Sequence, residues 1–268
     1  MLKIEKYVTA SPEQWEIVIE GMRNPKNSWD RMDSYATYIE NPETLNTAAF
    51  EYFIGENDMK LMEALASGGP VHGKFMRMIP CWVTISAPLY WWKQFDTYKV
   101  GTVGDACSTM HKIHAKEFTL DDFAHEYLVM STDDYREEGV EYDVYETVRS
   151  NPLHTLTNTV IALNKARKRY LFATDKLSSF VKTDDMSDAE YEAKKNQLRL
   201  NQKKFWYQMI QLLPDSYIQK RTIFLNYEVL RNMYISRKNH KLDEWHTFCD
   251  WVKTLPYFEL ITETMKEV

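Results

Sequence analysis

The sequence predicts an α+β fold that is mostly helical and has a small central sheet. Long stretches with helical periodicity dominate, above all residues 155–181 and 187–212, whereas residues 80–86 are rich in strand-forming side chains. No alternating strand–helix rhythm is present, which argues against a parallel α/β sheet. The 268 residues contain no repeat or low-complexity linker and are enough for a substantial core. We therefore predict a single domain over residues 1–268.

The N-terminal part predicts two helices separated by short elements. Residues 11–21 form the first, with Ser11 as N-cap and Pro12 in the first turn. Residues 22–57 contain two Asn-Pro turn signals and predict short elements with loops. A helix over residues 57–67 then ends at a Gly-Gly-Pro sequence.

The remaining elements follow the strand over residues 80–86. Pro88 begins a new helix, where its missing N–H carries no penalty. The acidic turn after residue 181 separates two long helices, and a capping box precedes the second. Two C-terminal helices are predicted at 219–238 and 242–254.

Composition and charge exclude several classes of protein. A formal charge of -6 argues against a general nucleic-acid binder, although it does not exclude one small anion held by local donors. Three isolated cysteines fit a reducing compartment and give no zinc pattern. The N-terminus is charged, and the longest uncharged run, residues 78–92, is broken by two prolines. We predict a cytoplasmic protein without membrane contact.

Familiar catalytic and cofactor motifs are absent. The glycines form no dinucleotide-binding or phosphate-binding loop, and no serine-hydrolase or zinc-protease motif occurs. His111, His114 and Glu117 would share a helical face as metal ligands do, but solvated polar residues are the alternative, and we predict no metal site. Cys107 would be a nucleophile beside a cation, or else a small buried side chain.

Two distant segments place polar groups among large apolar ones. In the first, the helix from Pro88 carries Gln94 near its middle and polar residues 96–99 at its end. The loop after it contains two glycines and the hydroxyls of residues 108–109, which suits a phosphate, with a plain polar loop as the alternative.

In the second segment, a helix would align Asn226, Leu230, Met233 and Arg237 along one stripe. A ligand, a partner subunit or a salt bridge would satisfy its polar ends. Arg237 has the planar donors for a carboxylate, a phosphate or a pyrimidine edge, and a structural ion pair is the alternative.

Together these segments resemble the flavin-dependent thymidylate synthases. His72 lies sixteen residues before Pro88, as in that family, and Lys93-Gln94-Phe95 stands where the family has Arg-Gln-Trp. The family's C-terminal motif is matched without a gap by Leu213, Pro214, Tyr217, Asn226, Leu230, Asn232 and Arg237. The resemblance covers about residues 57–112 and 205–255.

The chain departs from the family where the family binds anions. Thr97-Tyr98-Lys99 replaces an Arg-His-Arg sequence, Cys107-Ser108 lies where a Ser-x-Arg-Tyr sequence is expected, and Glu228 replaces an arginine. Each lost charge-assisted contact costs about 1.5–3 kcal/mol. We expect weak or absent FAD binding and low ordinary activity.

The resemblance implies a flavoprotein methyltransferase of nucleotide biosynthesis. It would convert dUMP to dTMP with FAD, methylenetetrahydrofolate and NADPH, as a cytoplasmic homotetramer. A related pyrimidine-nucleotide enzyme with altered chemistry and a non-catalytic nucleotide-binding oligomer are the alternatives. The implied catalytic residues are His72, Ser108 and Arg237. The implied substrate-binding residues are Gln94, Cys107, Ser108 and Arg237. The implied cofactor-binding residues are Thr97, Tyr98, Lys99, Asn226 and Asn232.

Overall fold

The computed structural model describes residues 2–40, 48–128 and 151–262. The chain forms two compact units, the first from Met1–Ala87, Trp91–Ala106 and Lys220–Val268, the second from Pro88–Tyr90 and Cys107–Gln219. Within the described ranges, no helix combines the length and apolarity needed to cross a membrane. The single domain and the cytoplasmic location stay predictions.

The strands form two sheets. They are β1 (Lys3–Thr9), β2 (Tyr35–Glu40), β3 (Ala48–Phe53), β4 (Pro80–Pro88), β5 (Val103–Ala106) and β6 (Ile218–Asn226). The larger sheet has the order β1-β4-β6-β5, with β1 antiparallel to β4 and β5 antiparallel to β6. Strands β2 and β3 pair as a separate antiparallel sheet.

Helices make up most of the remaining regular structure, which confirms the α+β prediction. They are α1 (Pro12–Arg23), α2 (Glu56–Ser67), α3 (Leu89–Phe95), α4 (Pro152–Ser179), α5 (Asp188–Leu212), α6 (Tyr227–Arg237), α7 (Asp243–Val252) and α8 (Glu259–Thr262). Short 3-10 helices occupy Asn24–Lys26, Trp29–Arg31, Gly73–Met78 and Leu120–Asp122.

Capping confirms the predicted start of α1. The Ser11 hydroxyl accepts a hydrogen bond from the Gln14 N–H at 3.3 Å, and the Gln14 side chain accepts one from the Ser11 N–H at 2.9 Å. Two otherwise unpaired donors at the helix N-terminus are thereby satisfied. The same arrangement at Ser187 and Glu190 begins α5 where it was predicted.

The predicted helix over residues 219–238 is wrong in its first half. Residues 218–226 form strand β6, in which Ile223 and Leu225 are buried in the alternating manner of a strand. Only α6 is helical, and Asn226 is its N-cap, accepting a hydrogen bond from the Val229 N–H at 3.0 Å. Asn226 therefore does not share a helical stripe with Arg237.

Helix α3 is also shorter than predicted. Pro88 ends β4, the helix begins at Leu89 and ends at Phe95, and residues 96–99 lie beyond it. Gly101 has a φ of 77° and supports the predicted turn, whereas Gly104 belongs to β5. The loop thus turns once before it joins the sheet.

Aromatic packing holds α3 against α7 in the first unit. Trp91 and Trp245 are fully buried, with ring centroids 4.8 Å apart, and Phe248 lies 5.6 Å from Trp245. Large aromatic side chains bury much apolar area with few rotatable bonds. This contact fixes the ends of both helices, where the candidate site lies.

The second unit is built on the antiparallel pair α4 and α5. Phe180, just after α4, stacks on Tyr191 in the first turn of α5 with ring centroids 5.3 Å apart. Both long helices were predicted, and α4 begins three residues before the predicted start at 155. The apolar core of this unit consists of Ile113, Phe118, Phe123, Leu156, Val160, Leu163, Ala166 and Met209.

Candidate functional site

Three predicted site residues meet in the first unit around one arginine. Arg237, at the end of α6, donates a hydrogen bond from Nε to the Tyr98 hydroxyl at 2.9 Å. Its guanidinium carbon lies 4.9 Å from the ring centroid of Trp245 and 5.5 Å from that of Tyr98. Trp245 in turn donates from Nε1 to the Gln94 side-chain oxygen at 2.8 Å. These four residues are called the arginine cluster.

The arginine cluster leaves donors free for a ligand. Among the described residues, no carboxylate pairs with Arg237, and its Nη1 and Nη2 have no protein acceptor. Arg237 and Gln94 are half-buried, so their remaining N–H groups reach the surface. The sequence analysis gave a structural ion pair as the alternative role of Arg237, and no such pair is present among the described residues.

Local packing brings the loop after α3 against the start of α6. A Cβ on Gly101 would lie 2.8 Å from Nδ2 of Asn226 and 2.9 Å from Cγ2 of Val229. The positive φ and this close approach together require glycine. Thr102 donates its hydroxyl proton to the Tyr98 carbonyl at 2.5 Å, which closes the turn. The position of Tyr98 is thus set by the turn as well as by Arg237.

A cleft of about 340 Å³ adjoins the cluster, and Tyr98 belongs to both. Its lining residues are Phe95, Asp96, Tyr98, Lys99, Thr102, Gly104, Arg221 and Ile223. Arg221 donates to Asp96 at 2.7 Å, and its guanidinium carbon lies 4.3 Å from the ring centroid of Trp92. The cleft therefore combines two cations, one carboxylate and aromatic walls, a composition suited to a phosphorylated aromatic ligand.

Four other predicted residues of the first unit do not belong to the arginine cluster. The Thr97 hydroxyl donates to the Gln94 carbonyl at 2.7 Å, and Asn226 caps α6. Asn232 is exposed on α6. His72 is exposed and packs against Gly68, and in the part of the chain that is described no contact joins it to the cluster.

The predicted residues of the second unit lie in a segment of turns. Ser108 accepts a hydrogen bond at Oγ from the His111 N–H at 2.8 Å, and the Cys107 carbonyl accepts one from Gln219 at 2.8 Å. Cys107 is exposed, so the expectation of a buried cysteine is wrong. Because residues 107–119 are not helical, the premise that His111, His114 and Glu117 share a helical face also fails. Among the described residues, no group of three His, Cys, Asp or Glu side chains is arranged to hold a metal ion.

Sequence reasoning assigned no role to two residues of the site, Trp245 and Arg221. Glu228, which was named as the replacement of a family arginine, belongs neither to the cluster nor to the cleft and accepts a hydrogen bond from Nε of Arg77 at 2.6 Å. Arg221 was missed because its segment was predicted to be helical. With β6 recognised, the period of two would have placed Arg221 and Ile223 on one face, where both line the cleft.

The comparisons with known proteins concern the fold. No protein-family model and no curated protein matches the sequence. A crystal structure of thymidylate synthase X from Helicobacter pylori with FAD and dUMP is similar, with 14% identity over 99% of each chain and a TM-score of 0.50. The fold is that of thymidylate synthase X. A second crystal structure, flavin-dependent thymidylate synthase from the same organism complexed with FAD and dUMP, has 13% identity over 97% of this chain and 96% of that chain, with a TM-score of 0.47.

The residues predicted to hold FAD fit it poorly within one chain. Tyr98, Thr97 and Asn226 use their side chains in the contacts above, which leaves Lys99 as the exposed cation of the cleft. Arg221 is already paired with Asp96. One lysine and one paired arginine suit a single phosphate better than the two phosphates of a dinucleotide. We therefore derive no step through a flavin.

Proposed function

We propose that this chain binds a pyrimidine deoxynucleotide, with dUMP as the expected ligand, at the arginine cluster and the adjoining cleft. One observation carries the proposal. Arg237 and Tyr98, which are 139 residues apart in the sequence, meet at 2.9 Å and hold a guanidinium edge open beside a positively charged cleft. The thymidylate synthase X fold supports it, since the similar crystal structure contains dUMP.

Each group has a role that follows from its chemistry. The Nη1 and Nη2 donors of Arg237 form a planar fork for a phosphate or for carbonyl oxygens. Lys99 supplies the exposed positive charge of the cleft, and Tyr98 provides an aromatic ring beside a base. These residues bind and orient a nucleotide.

The proposed reaction is methylation of dUMP to dTMP, with methylenetetrahydrofolate and NADPH as co-substrates. It would require FAD, which further chains of a homotetramer would have to help hold, since one chain fits it poorly. We expect this activity to be low, because the anion-binding arginines of the family are replaced. In this reaction, His72 and Ser108 are the proposed catalytic residues, and Cys107 is proposed to bind the substrate. A homotetramer remains part of the proposal, and a monodisperse monomer in light scattering would contradict it.

A second candidate is a nucleotide-binding oligomer without catalysis. It is favoured by the ion pair between Glu228 and Arg77, since Glu228 stands where the family has an arginine. Flavin separates the two candidates, because a flavoprotein purifies yellow and a flavin-free binder does not. Stoichiometric FAD, together with complementation of a thymidine auxotroph, would show that the replaced arginines are dispensable.

The binding proposal is tested by calorimetric titration of dUMP into wild-type protein and Arg237→Lys. Lysine keeps the charge but loses the planar fork, so affinity should fall about 10- to 150-fold with little change in melting temperature. Arg77→Lys is the matched control, since Arg77 is exposed and pairs with Glu228. If Arg237→Lys instead lowers the melting temperature and leaves dUMP affinity intact, Arg237 is structural and the proposal fails.

A further inference from the structure

We propose that Trp245 is a positioning residue. It turns the Gln94 amide so that Gln94 and Arg237 together present N–H donors to the ligand, and a base is recognised through an acceptor edge. This inference rests on the proposed nucleotide site. The deciding contact is the 2.8 Å hydrogen bond from the Trp245 indole to Gln94.

The chemistry of the indole fixes the orientation of the Gln94 amide. An indole N–H only donates, so the Gln94 atom facing it is the carbonyl oxygen. The amide NH₂ is thereby directed away from Trp245. Gln94 is half-buried, so this NH₂ group is available at the surface of the cluster.

The same ring orients Arg237. Its face lies 4.9 Å from the guanidinium carbon, and Nε is occupied by the Tyr98 hydroxyl. A guanidinium has no acceptor, so its two terminal nitrogens also present only donors. Gln94 and Arg237 therefore offer a ligand N–H groups alone.

Trp245 is itself held firmly. It is fully buried, with ring centroids 4.8 Å from Trp91 and 5.6 Å from Phe248. A close-packed interior leaves such a ring little freedom to rotate. The orientation of Gln94 is thus set by the core before any ligand arrives.

A site of donors discriminates between pyrimidines. Uracil carries a carbonyl acceptor at C4, whereas cytosine carries an amino donor there. A donor that faces donors leaves polar groups unpaired, which is strongly unfavourable away from water. We expect the wild-type protein to bind dUMP at least about tenfold more tightly than dCMP.

The test compares two tryptophan variants on α7. Trp245→Phe keeps an aromatic ring but removes the N–H, which frees the Gln94 amide to turn its oxygen outward. The preference for dUMP over dCMP should fall to within about threefold. Trp251→Phe is the matched control, because Trp251 is buried on α7 and its Nε1 has no hydrogen-bond partner in the described residues. It should keep the preference, and equal ratios in both variants would overturn the inference.

A ligand-free measurement separates this inference from the proposed function. In the NMR spectrum of the free protein, Gln94→Leu should shift the Trp245 indole N–H resonance upfield and speed its exchange with solvent, because the acceptor is lost. An unchanged resonance would overturn the positioning role whatever the protein binds. A shifted resonance in a protein that binds neither dUMP nor dCMP would retain the positioning of Gln94 but overturn the acceptor-edge recognition along with the proposed function.

Discussion

Arg23 and Arg237 lie in the same compact unit, but of the two only Arg237 keeps guanidinium donors that can reach a ligand at the surface. Arg23 is 3% exposed and donates from Nε to Asp58 at 2.5 Å and from Nη1 to the Ser28 carbonyl at 3.1 Å. Arg237 is half-buried and is held by a phenol and an indole. Of its hydrogen-bond donors, only Nε is used within the described residues.

The difference between the two arginines comes from the carboxylate of Asp58, which pairs with Arg23. Asp58 is fully buried and accepts hydrogen bonds from Arg23, from the Asp33 and Ser34 N–H groups and from the Ser34 hydroxyl. This network joins the end of α1 to α2 and to the loop before β2, so the charge of Arg23 serves the architecture. Tyr98 and Trp245 orient Arg237 without neutralising it, and its charge remains for an anion.

The largest expected effect is the loss of the buried pair. Asp58→Asn keeps the shape of the side chain but leaves the Arg23 charge without a carboxylate. The free energy of unfolding should fall by about 3–5 kcal/mol, measured by urea denaturation. Glu56→Gln is the control, since its pair with Lys60 is exposed to solvent and should contribute little to the free energy of unfolding. Similar losses in both variants would show that the buried Arg23–Asp58 pair contributes no more to stability than an exposed pair.

The sequence could predict those elements whose signals are local. Helices α1 and α5 have capping boxes and apolar periodicity, and they begin where they were predicted. Strand β6 was missed because the stripe from Asn226 to Arg237 fits a helix, and the predicted helix was extended from there back to residue 219. Pairing with other strands, which the sequence does not display, selects the extended form there.

The candidate site was predictable only where a family motif pointed to it. Gln94, Tyr98 and Arg237 were named in advance and meet in the structure, whereas Trp245 was not assigned a role. Its contact with Gln94 spans 151 residues, and that of Arg221 with Asp96 spans 125. Contacts between residues so far apart produce no periodic pattern in the sequence.

A smaller effect is expected in the cleft, where Lys99 is exposed and Arg221 is paired. If the cleft binds the phosphate of dUMP, Lys99→Ala should weaken binding about three- to tenfold at low salt, because a surface charge is partly screened. The difference from wild type should shrink as salt is added. Lys6→Ala, an exposed lysine on β1, is the control and should leave affinity unchanged. Equal weakening by both variants would mean that only net charge matters.

The smallest expected effect is a pH dependence at His240, the titratable neighbour of the arginine cluster. Its Nδ1 accepts a hydrogen bond from the Leu242 N–H at 3.1 Å, and its ring lies edge-on to Trp245. Burial lowers the pKa of His240, and the positive charges of Arg237 and His246 lower it further. Burial also lowers the pKa of His114 in the second unit.

The sign of this effect follows from proton binding. With the folded pKa below the usual value, the unfolded chain binds more protons as the pH falls below about 6.5. Stability is therefore greatest above that pH and decreases as the pH falls towards the folded pKa. His240→Asn retains a side-chain acceptor for the Leu242 N–H but does not titrate, so its melting temperature should fall less between pH 7.5 and pH 5.5 than that of the wild type, by about a degree or two. Parallel curves would show that the pKa of His240 is not lowered in the folded protein, so that neither burial nor the charge of Arg237 acts on it.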